Sequence, residues 1–476
     1  MLTYVFENNG VPMYEQLYEY LKDDITKGIL KTDEKLPSKR AFARNNGIST
    51  ITVQNAYNQL QSEGYIYSLT KKGYYVANLC SLRKLGADTK LSLDIKLPPS
   101  EEECEINFSN NNIKPENFPF SVWSRLSREV MSQKSREVLI QSPTGGILEL
   151  RESIAEHLKA FRGMLIDPNQ IIVGAGTEYL YGLLIQLLGT KRNFCIENPG
   201  YKKLKSIYSQ YGANCVFADI DRKGVTVQEL NRVNAQIVHI SPNHHFPTGI
   251  TMPADRRYEI LSWANETSDR YIIEDDYDSE FRLSGKIHPT LFSIDGCEKV
   301  IYMNTFSKTL TPTIRISYMV LPIDLANRFY QELSFYSCTV SNFEQYTLSL
   351  FINRGYFEKH INRMRLYYLR RRREVIELLY KSSLKDNMEL IENESGLHFL
   401  MKLKTDIDDE TIKRELLKRK IRISPLSDYY MTGKAIPHHF VINYSSLDIK
   451  KLGTVFETLN RVIHLSDLVT QISAVK

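Results

Sequence analysis

Tyr14, Leu17, Tyr18, Leu21 and Ile25 recur at intervals of three and four, the spacing of one helical face. The pattern predicts a helix within Val11–Leu30, stopped near Gly28, with Glu15, Glu19, Asp23 and Asp24 on its polar side. Ser38 is a good N-cap for a second, short helix through Phe42 and Ala43, which Asn45-Asn46-Gly47 breaks. Ser49 caps a third helix from about Thr50 to Ser62, with Val53, Ala56, Tyr57 and Leu60 as its apolar stripe. Helix, short Gly-containing turn, helix is the helix-turn-helix pattern. Ile66–Leu69 and Tyr74–Val76 then flank Lys71-Lys72-Gly73, which predicts a hairpin with a basic tip, a wing.

Leu79–Glu105 shows no sustained period. It holds Pro98-Pro99-Ser100 and an acidic run, so a semi-extended tether is expected. From Ile106 onward apolar strands alternate with amphipathic helices, which argues for a doubly wound α/β domain. The expected strands are Ile171–Val173, Phe194–Glu197, Gln236–Ile240, Tyr271–Ile273 and Val300–Met303; the expected helices include Trp123–Met131, Leu148–Phe161 and Glu178–Leu188. Pro322–Tyr380 reads as helical with interruptions. Its basic run, Arg363–Arg373, reads as a solvated helix face. Ser395–Thr470 reads as a small α+β subdomain with strands Leu397–Met401 and Phe440–Tyr444. The predicted division is a DNA-binding head over 1–78, a linker over 79–105 and a large domain over 106–476.

Composition narrows the class. The chain has 476 residues, enough for two or more domains. It contains no apolar run of the ~18 residues a membrane span needs, and its first ten residues lack the basic and apolar regions of a secretory signal. Six scattered cysteines with no CxxC suit reduced cytoplasmic thiols, and no metal site is expected. The net charge of +5 is too mild to prove a nucleic-acid partner, so its distribution matters more. From Lys35 to Asn78 there are six basic residues (Lys35, Lys39, Arg40, Arg44, Lys71, Lys72) against one acid, Glu63. Phosphate contacts are assigned to Lys39, Arg40, Arg44, Lys71 and Lys72, and base reading to Thr50, Thr52, Gln54 and Asn55.

The candidate chemistry centres on Lys308, just past a buried strand and among Thr305, Ser307, Thr309 and Arg315. An unpaired ammonium there is costly to bury, while the hydroxyls and guanidinium suit a phosphate. The Tyr271–Ile273 strand ends in Glu274-Asp275-Asp276-Tyr277-Asp278, so carboxylates face the usual ligand crevice. From the residues alone, any of these acids can be the functional one. Gly174-Ala175-Gly176-Thr177, between a strand and a helix, lets backbone N–H groups approach a phosphate. A Schiff-base lysine, a phosphate cradle and a buried acid are what pyridoxal phosphate needs.

The stretches IIEDDYDSEFR and NTFSKTLTPTIRISY resemble the fold-type I aminotransferase domain of the MocR/GabR family of bacterial regulators. LPSKRAFARNNGISTITVQNAYNQLQSEGYI resembles the GntR-type winged helix joined to it. The resemblance implies an N-terminal all-α winged helix-turn-helix plus a C-terminal α/β domain of the pyridoxal-phosphate transferase fold. It implies Lys308 as the Schiff-base lysine, Asp275 as partner of the ring nitrogen and Tyr277 on the phenolic oxygen. Tyr201 would cover the ring, and Ser307, Arg315, Gly176 and Thr177 would hold the phosphate. Departures are visible. Thr50 stands where the family places an arginine; Lys71 and Tyr74 replace the first Gly and the Thr of its wing motif. Ser241–Gly249 resembles the family's S-H-Q-F-P-T-G loop, with Phe246 where ordinary aminotransferases have Asn. No arginine lies in the last strand, and Arg422 is the nearest candidate for an effector carboxylate.

The expected function is a cytoplasmic, pyridoxal-phosphate-dependent transcriptional regulator, not an enzyme, sensing an amine, an amino acid or the cofactor itself. Its partners would be a double-stranded DNA operator and a second copy in a head-to-tail homodimer. The alternative is an active aminotransferase with an accessory DNA-binding domain.

Overall fold

The computed structural model describes residues 2–8, 10–79, 95–96, 103–109, 113–282, 288–391 and 396–464. The chain forms two compact units, Met1–Ser100 and Glu101–Lys476. Most of the expected tether lies outside the described residues.

In the first unit the helices are Met13–Thr26, Lys39–Asn46 and Thr50–Ser62. Ser38 Oγ accepts from Ala41 N–H at 3.3 Å and Ser49 Oγ from Thr52 N–H at 3.1 Å, so both serines act as caps. Gly47 closes the second helix at φ 66°, a conformation that costs a glycine little. The first helix is shorter than the pattern predicts, bounded by Pro12 and by Lys27-Gly28. Tyr57 is the fully buried centre: its ring meets Phe42 and Tyr74, and its hydroxyl donates to Pro37 O at 3.1 Å. Ile66–Leu69 and Gly73–Val76 pair antiparallel as the wing.

The second unit is built on an eight-stranded sheet. Its order is Ile171–Gly174, Ser317–Val320, Val300–Thr305, Tyr271–Asp275, Ile237–Ile240, Asn193–Asn198, Asn214–Asp221, Gly224–Val225. The five strands from Val300–Thr305 to Asn214–Asp221 run parallel; Ser317–Val320 runs against both its neighbours. A smaller antiparallel sheet follows, containing His398–Leu403 and His439–Asn443. Ile106–Asn107 does not begin the large sheet, as the alternation of elements implied. It pairs with Ile421–Arg422, and Phe108 O accepts from Asn443 N–H at 2.9 Å, so both ends of the unit build the small subdomain.

Helix Tyr356–Lys381 joins the two parts. Phe357 and Ile361 pack in the core under the large sheet; Met364, Tyr368, Val375 and Leu379 pack in the small subdomain. Its basic run is less solvated than expected. Arg363, Arg365 and Arg371 donate to the carbonyls of Asn117, Glu280 and Leu447 at 2.8, 2.6 and 3.0 Å. No helix among the described residues is long and apolar enough to cross a membrane.

Asp276 is the buried ionic anchor of this unit. It accepts from Arg162 at 2.5 Å, from Tyr302 and Ser279 hydroxyls at 2.8 Å and from Asn243 Nδ2 at 2.7 Å. Asp276→Ala leaves the Arg162 guanidinium buried without its counter-charge. The expected loss is about 3–5 kcal/mol, read as a lowered urea midpoint for the large unit; a loss under about 1 kcal/mol would show that Arg162 reaches water instead.

Candidate functional site

Carboxylates alternate faces at the end of Tyr271–Asp275, as successive side chains of a strand must. Glu274 turns to one face, where it accepts from Leu291 and Phe292 N–H, both at 2.9 Å. Asp276 meets Arg162, and Asp278 meets His244 Nδ1 at 2.8 Å. Asp275 points the other way, into a cavity of about 190 Å³ that Lys308, Tyr277, Thr177, Tyr201, Glu197 and His245 help to line. It is the one acid of the run on that wall. Its Oδ2 accepts from Tyr181 at 2.7 Å and lies 3.3 Å from His239 Nε2, while its Oδ1 is buried without a hydrogen-bond partner.

Lys308 follows the neighbouring strand, in which Met303 stands opposite Asp275. Burial lowers the Lys308 pKa, against the pull of Asp278 and Asp275. A larger share of neutral amine is the form that attacks a carbonyl. Beside it, Ser307 Oγ is buried and unpartnered. Arg315, held at φ 52°, reaches Glu178 at 3.2 Å. A Cβ on Gly176 would lie 2.5 Å from the Arg315 guanidinium, and Gly176 has φ +91°. The positive φ favours glycine there, whereas the Arg315 guanidinium is the movable end of a half-exposed side chain. The turn leads into helix Thr177–Leu188, whose first N–H groups have no partner within the helix. Arg315 thus lies beside the Gly176 turn, from which Thr177 lines the cavity, while Ser307 adjoins Lys308 in the chain. Tyr201 lies edge-on to Phe246, ring centres 6.0 Å apart.

On the first unit, Thr50, Gln54 and Asn55 are exposed along the third helix. The Thr52 hydroxyl lies 2.8 Å from Ser49 Oγ, so it is part of the cap rather than a free reader. Lys71 sits at φ 63° in the wing turn, and the Lys39 ammonium lies 5.1 Å from the Tyr74 ring centre.

Residues 13–76 match the model of bacterial regulatory proteins of the gntR family, and residues 104–459 match aminotransferase class I and II. The chain is 35% identical over 428 residues to the uncharacterized HTH-type transcriptional regulator YdeL of Bacillus subtilis, covering 88% of this chain and 90% of that one. It is 31% identical over 455 residues to the probable rhizopine catabolism regulatory protein MocR of Rhizobium meliloti, covering 93% and 92%. This chain belongs to the MocR family of transcriptional regulators. PdxR of Corynebacterium glutamicum, a pyridoxine biosynthesis regulator, is 29% identical over 94% of this chain and 96% of its own. The crystal structure of Pyrococcus horikoshii kynurenine aminotransferase aligns with a TM-score of 0.67 at 24% identity, over 76% of this chain and 91% of that one, which shows the fold.

The cofactor of this MocR-type regulator is pyridoxal 5′-phosphate. The residues present fit it: an amine of lowered pKa, an unpartnered carboxylate oxygen opposite, and a glycine turn beside an arginine. Tyr277 fits less simply. Its hydroxyl donates to His244 O at 3.1 Å and so is already engaged. Arg422 does not line the cavity; it lies on the short strand paired with Ile106–Asn107.

Sequence reasoning missed four titratable cavity residues of this regulator: Tyr181, His239, Glu197 and His245. Tyr181 falls one turn after Thr177 on the same helix, and His239 interrupts an otherwise apolar strand. Those were the available signals. His239 Nδ1 lies 2.6 Å from Tyr208 OH, so Tyr208, His239 and Asp275 form a chain of hydrogen bonds. Glu197 Oε2 accepts from Ser241 N–H at 3.2 Å and lies 3.5 Å from His245 Nε2. Burial pushes the Glu197 carboxyl up to about 8, and burial, then His244, pushes His245 down to about 3.

Glu197 therefore keeps its proton in the folded chain up to about pH 8, whereas unfolded it ionises near 4.5. Its stabilising share is whole below pH 4.5 and is lost as pH rises towards 8. Glutamine has no such proton. In cofactor-free protein, Glu197→Gln should gain on the wild type in urea unfolding between about pH 5 and pH 8. A gap that does not widen with pH would show that Glu197 is ionised in the fold.

Proposed function

We propose that the protein is a cytoplasmic regulator in which the pyridoxal-phosphate cavity senses an amine, an amino acid or the cofactor itself, and sets how the winged head holds its operator. One observation carries the preference for sensing over turnover. Among the described residues lining the cavity there is no guanidinium, and Lys308 supplies the single ammonium. A transaminase working on amino acids needs a bidentate partner for the substrate carboxylate. Lys308 and Asp275 are retained, and that favours a residual half-reaction as the second reading.

The geometry supports the following roles. When bound, the cofactor supplies an electron-withdrawing ring and a carbonyl carbon that exchanges one amine for another. The Lys308 amine would hold that carbon. Asp275 Oδ1 would accept a ring N–H, Tyr201 would cover one face, and Tyr277 would bond the phenolic oxygen. Arg315, Ser307 and the Gly176–Thr177 turn would hold the phosphate. On the head, Lys39, Arg40, Arg44, Lys71 and Lys72 meet phosphates. Exposed Phe120, Leu139, Ile140 and Phe335 on the large unit support a homodimer, arranged head to tail. An effector can shift DNA affinity only by its own difference in affinity for the two states, typically ~1–3 kcal/mol.

Lys308→Ala should remove the visible absorbance of the tethered cofactor while operator affinity stays within about threefold, a shift under ~1 kcal/mol; a retained band would move the tether to another lysine. Amino and keto acid pairs should give no sustained turnover near ~1–10³ s⁻¹, and such turnover would favour the enzyme reading. Lys71→Ala with Lys72→Ala should weaken DNA binding and flatten its log–log salt slope by roughly two. An unchanged slope would mean that the wing lysines do not touch phosphate.

A further inference from the structure

Helix Thr50–Ser62 contains no Lys, Arg, Asp or Glu. Val53, Ala56, Tyr57 and Leu60 are its buried face. The outward face is Ile51, Gln54, Asn55 and Asn58, at positions i, i+3, i+4 and i+7, with Thr50 beside them. Ile51 is 72% exposed, an aliphatic side chain in the first turn that contributes nothing to the core. Gln54, Asn55 and Asn58 make no side-chain hydrogen bond among the described residues. Gln59 and Gln61, on the same helix, turn their amides to Glu63 and Ser68. Positive charge surrounds this neutral face without entering it: Lys39, Arg40 and Arg44 lie on the preceding helix, Lys71 and Lys72 in the wing turn.

We propose that this helix reads A·T pairs in the major groove, with Gln54 and Asn55 on adenine and Ile51 on a thymine methyl. The inference rests on the DNA-binding reading above and adds the base chemistry of the operator. Guanine presents two acceptors, N7 and O6, which a guanidinium or ammonium meets best; cytosine presents an amino donor, which a carboxylate meets. The helix carries neither kind of group. Adenine presents an acceptor, N7, beside a donor, the N6 amino group, and a carboxamide offers one donor and one acceptor at matching spacing. Thymine's 5-methyl is the apolar feature of the groove, and Ile51 is the apolar member of the face. The N-terminal turns of a recognition helix are the part that reaches base edges, and Ile51, Gln54 and Asn55 all lie there. The flanking cations are left for phosphates, which carry no sequence information.

The test is selection of binding sites by the full-length, cofactor-loaded protein from a pool of random duplex DNA, followed by atom-level changes in the selected duplex. The expected half-site core consists of A·T pairs. Replacing one core thymine by uracil should weaken the wild type about fourfold, the worth of one buried methyl, and leave Ile51→Ala unaffected. Replacing one core adenine by 7-deazaadenine should cost roughly 5–100-fold, and that cost should vanish in Gln54→Ala or Asn55→Ala. All three positions are exposed, so these variants keep the fold, and their salt slopes should match the wild type. A G·C core, or an equal uracil response in wild type and Ile51→Ala, overturns the proposal. Salt-dependent binding with no enriched sequence overturns it while leaving the DNA-binding reading intact. No binding to any duplex removes both.

Discussion

Four carboxylates fall within the five residues Glu274–Asp278, and the large unit is arranged around neutralising them separately. Buried acids this close repel one another and lose hydration, so each needs its own partner. Glu274 has two backbone N–H groups, Asp276 a guanidinium and three further donors, and Asp278 an imidazole. The strand's alternation sends Asp275 to the opposite face, where Tyr181 and His239 satisfy one oxygen only. The remaining oxygen is a buried acceptor without a hydrogen-bond partner, and Asp275 lines the same cavity as Lys308. Unpartnered buried acceptors are rare because they cost free energy, so one held in a cavity is suited to a donor from outside.

The same shell ties the cavity to the small subdomain. Gly200 N–H donates to Tyr429 O at 3.0 Å, Met431 N–H to Asn198 Oδ1 at 2.8 Å, and the Phe246 ring meets Tyr429 edge-on. Tyr201 and Phe246 are cavity residues, so a ligand that moves either one pulls on contacts made by the other subdomain. Helix Tyr356–Lys381 runs through both cores and makes their relative position costly to change in small steps. A ligand-driven change in such a body is a shift between discrete packings, which is what a sensor requires.

Much of this was legible in the sequence, and the misses share a cause. The third helix was bounded correctly because cap, stripe and turn agree over thirteen residues. Lys308 and the acidic strand stood out because charge at the end of an apolar run violates the pattern. Periodicity failed where partners come from afar. Ile106–Asn107 is two residues long and finds its strand at Ile421–Arg422, a pairing with no local signature. Arg363, Arg365 and Arg371 look like a solvated stripe, yet each finds a distant carbonyl. Glu197 and His245 meet across two strand ends, and only their burial gives either one interest. Thr52 was assigned as a reader because its position is right, but its hydroxyl is spent locally on the cap.

The net charge of +5 conceals a consistent division of labour. On the head, cations occupy the helix before Thr50–Ser62 and the wing turn after it, and Thr50–Ser62 is itself neutral from end to end. A mobile guanidinium on it would strengthen binding to every sequence through the phosphates and narrow the margin between right and wrong sites. Keeping affinity and selectivity on separate elements lets each be tuned alone. The cavity is as sparing of charge: one ammonium lines it, and the guanidinium of Arg315, outside the lining, is paired with Glu178. With no second fixed cation on its wall, the cavity is left with aromatic rings, neutral histidine and a protonated glutamate to choose what enters. In the sensing role proposed above, shape and hydrogen bonding, not long-range attraction, would decide which amine reaches Lys308.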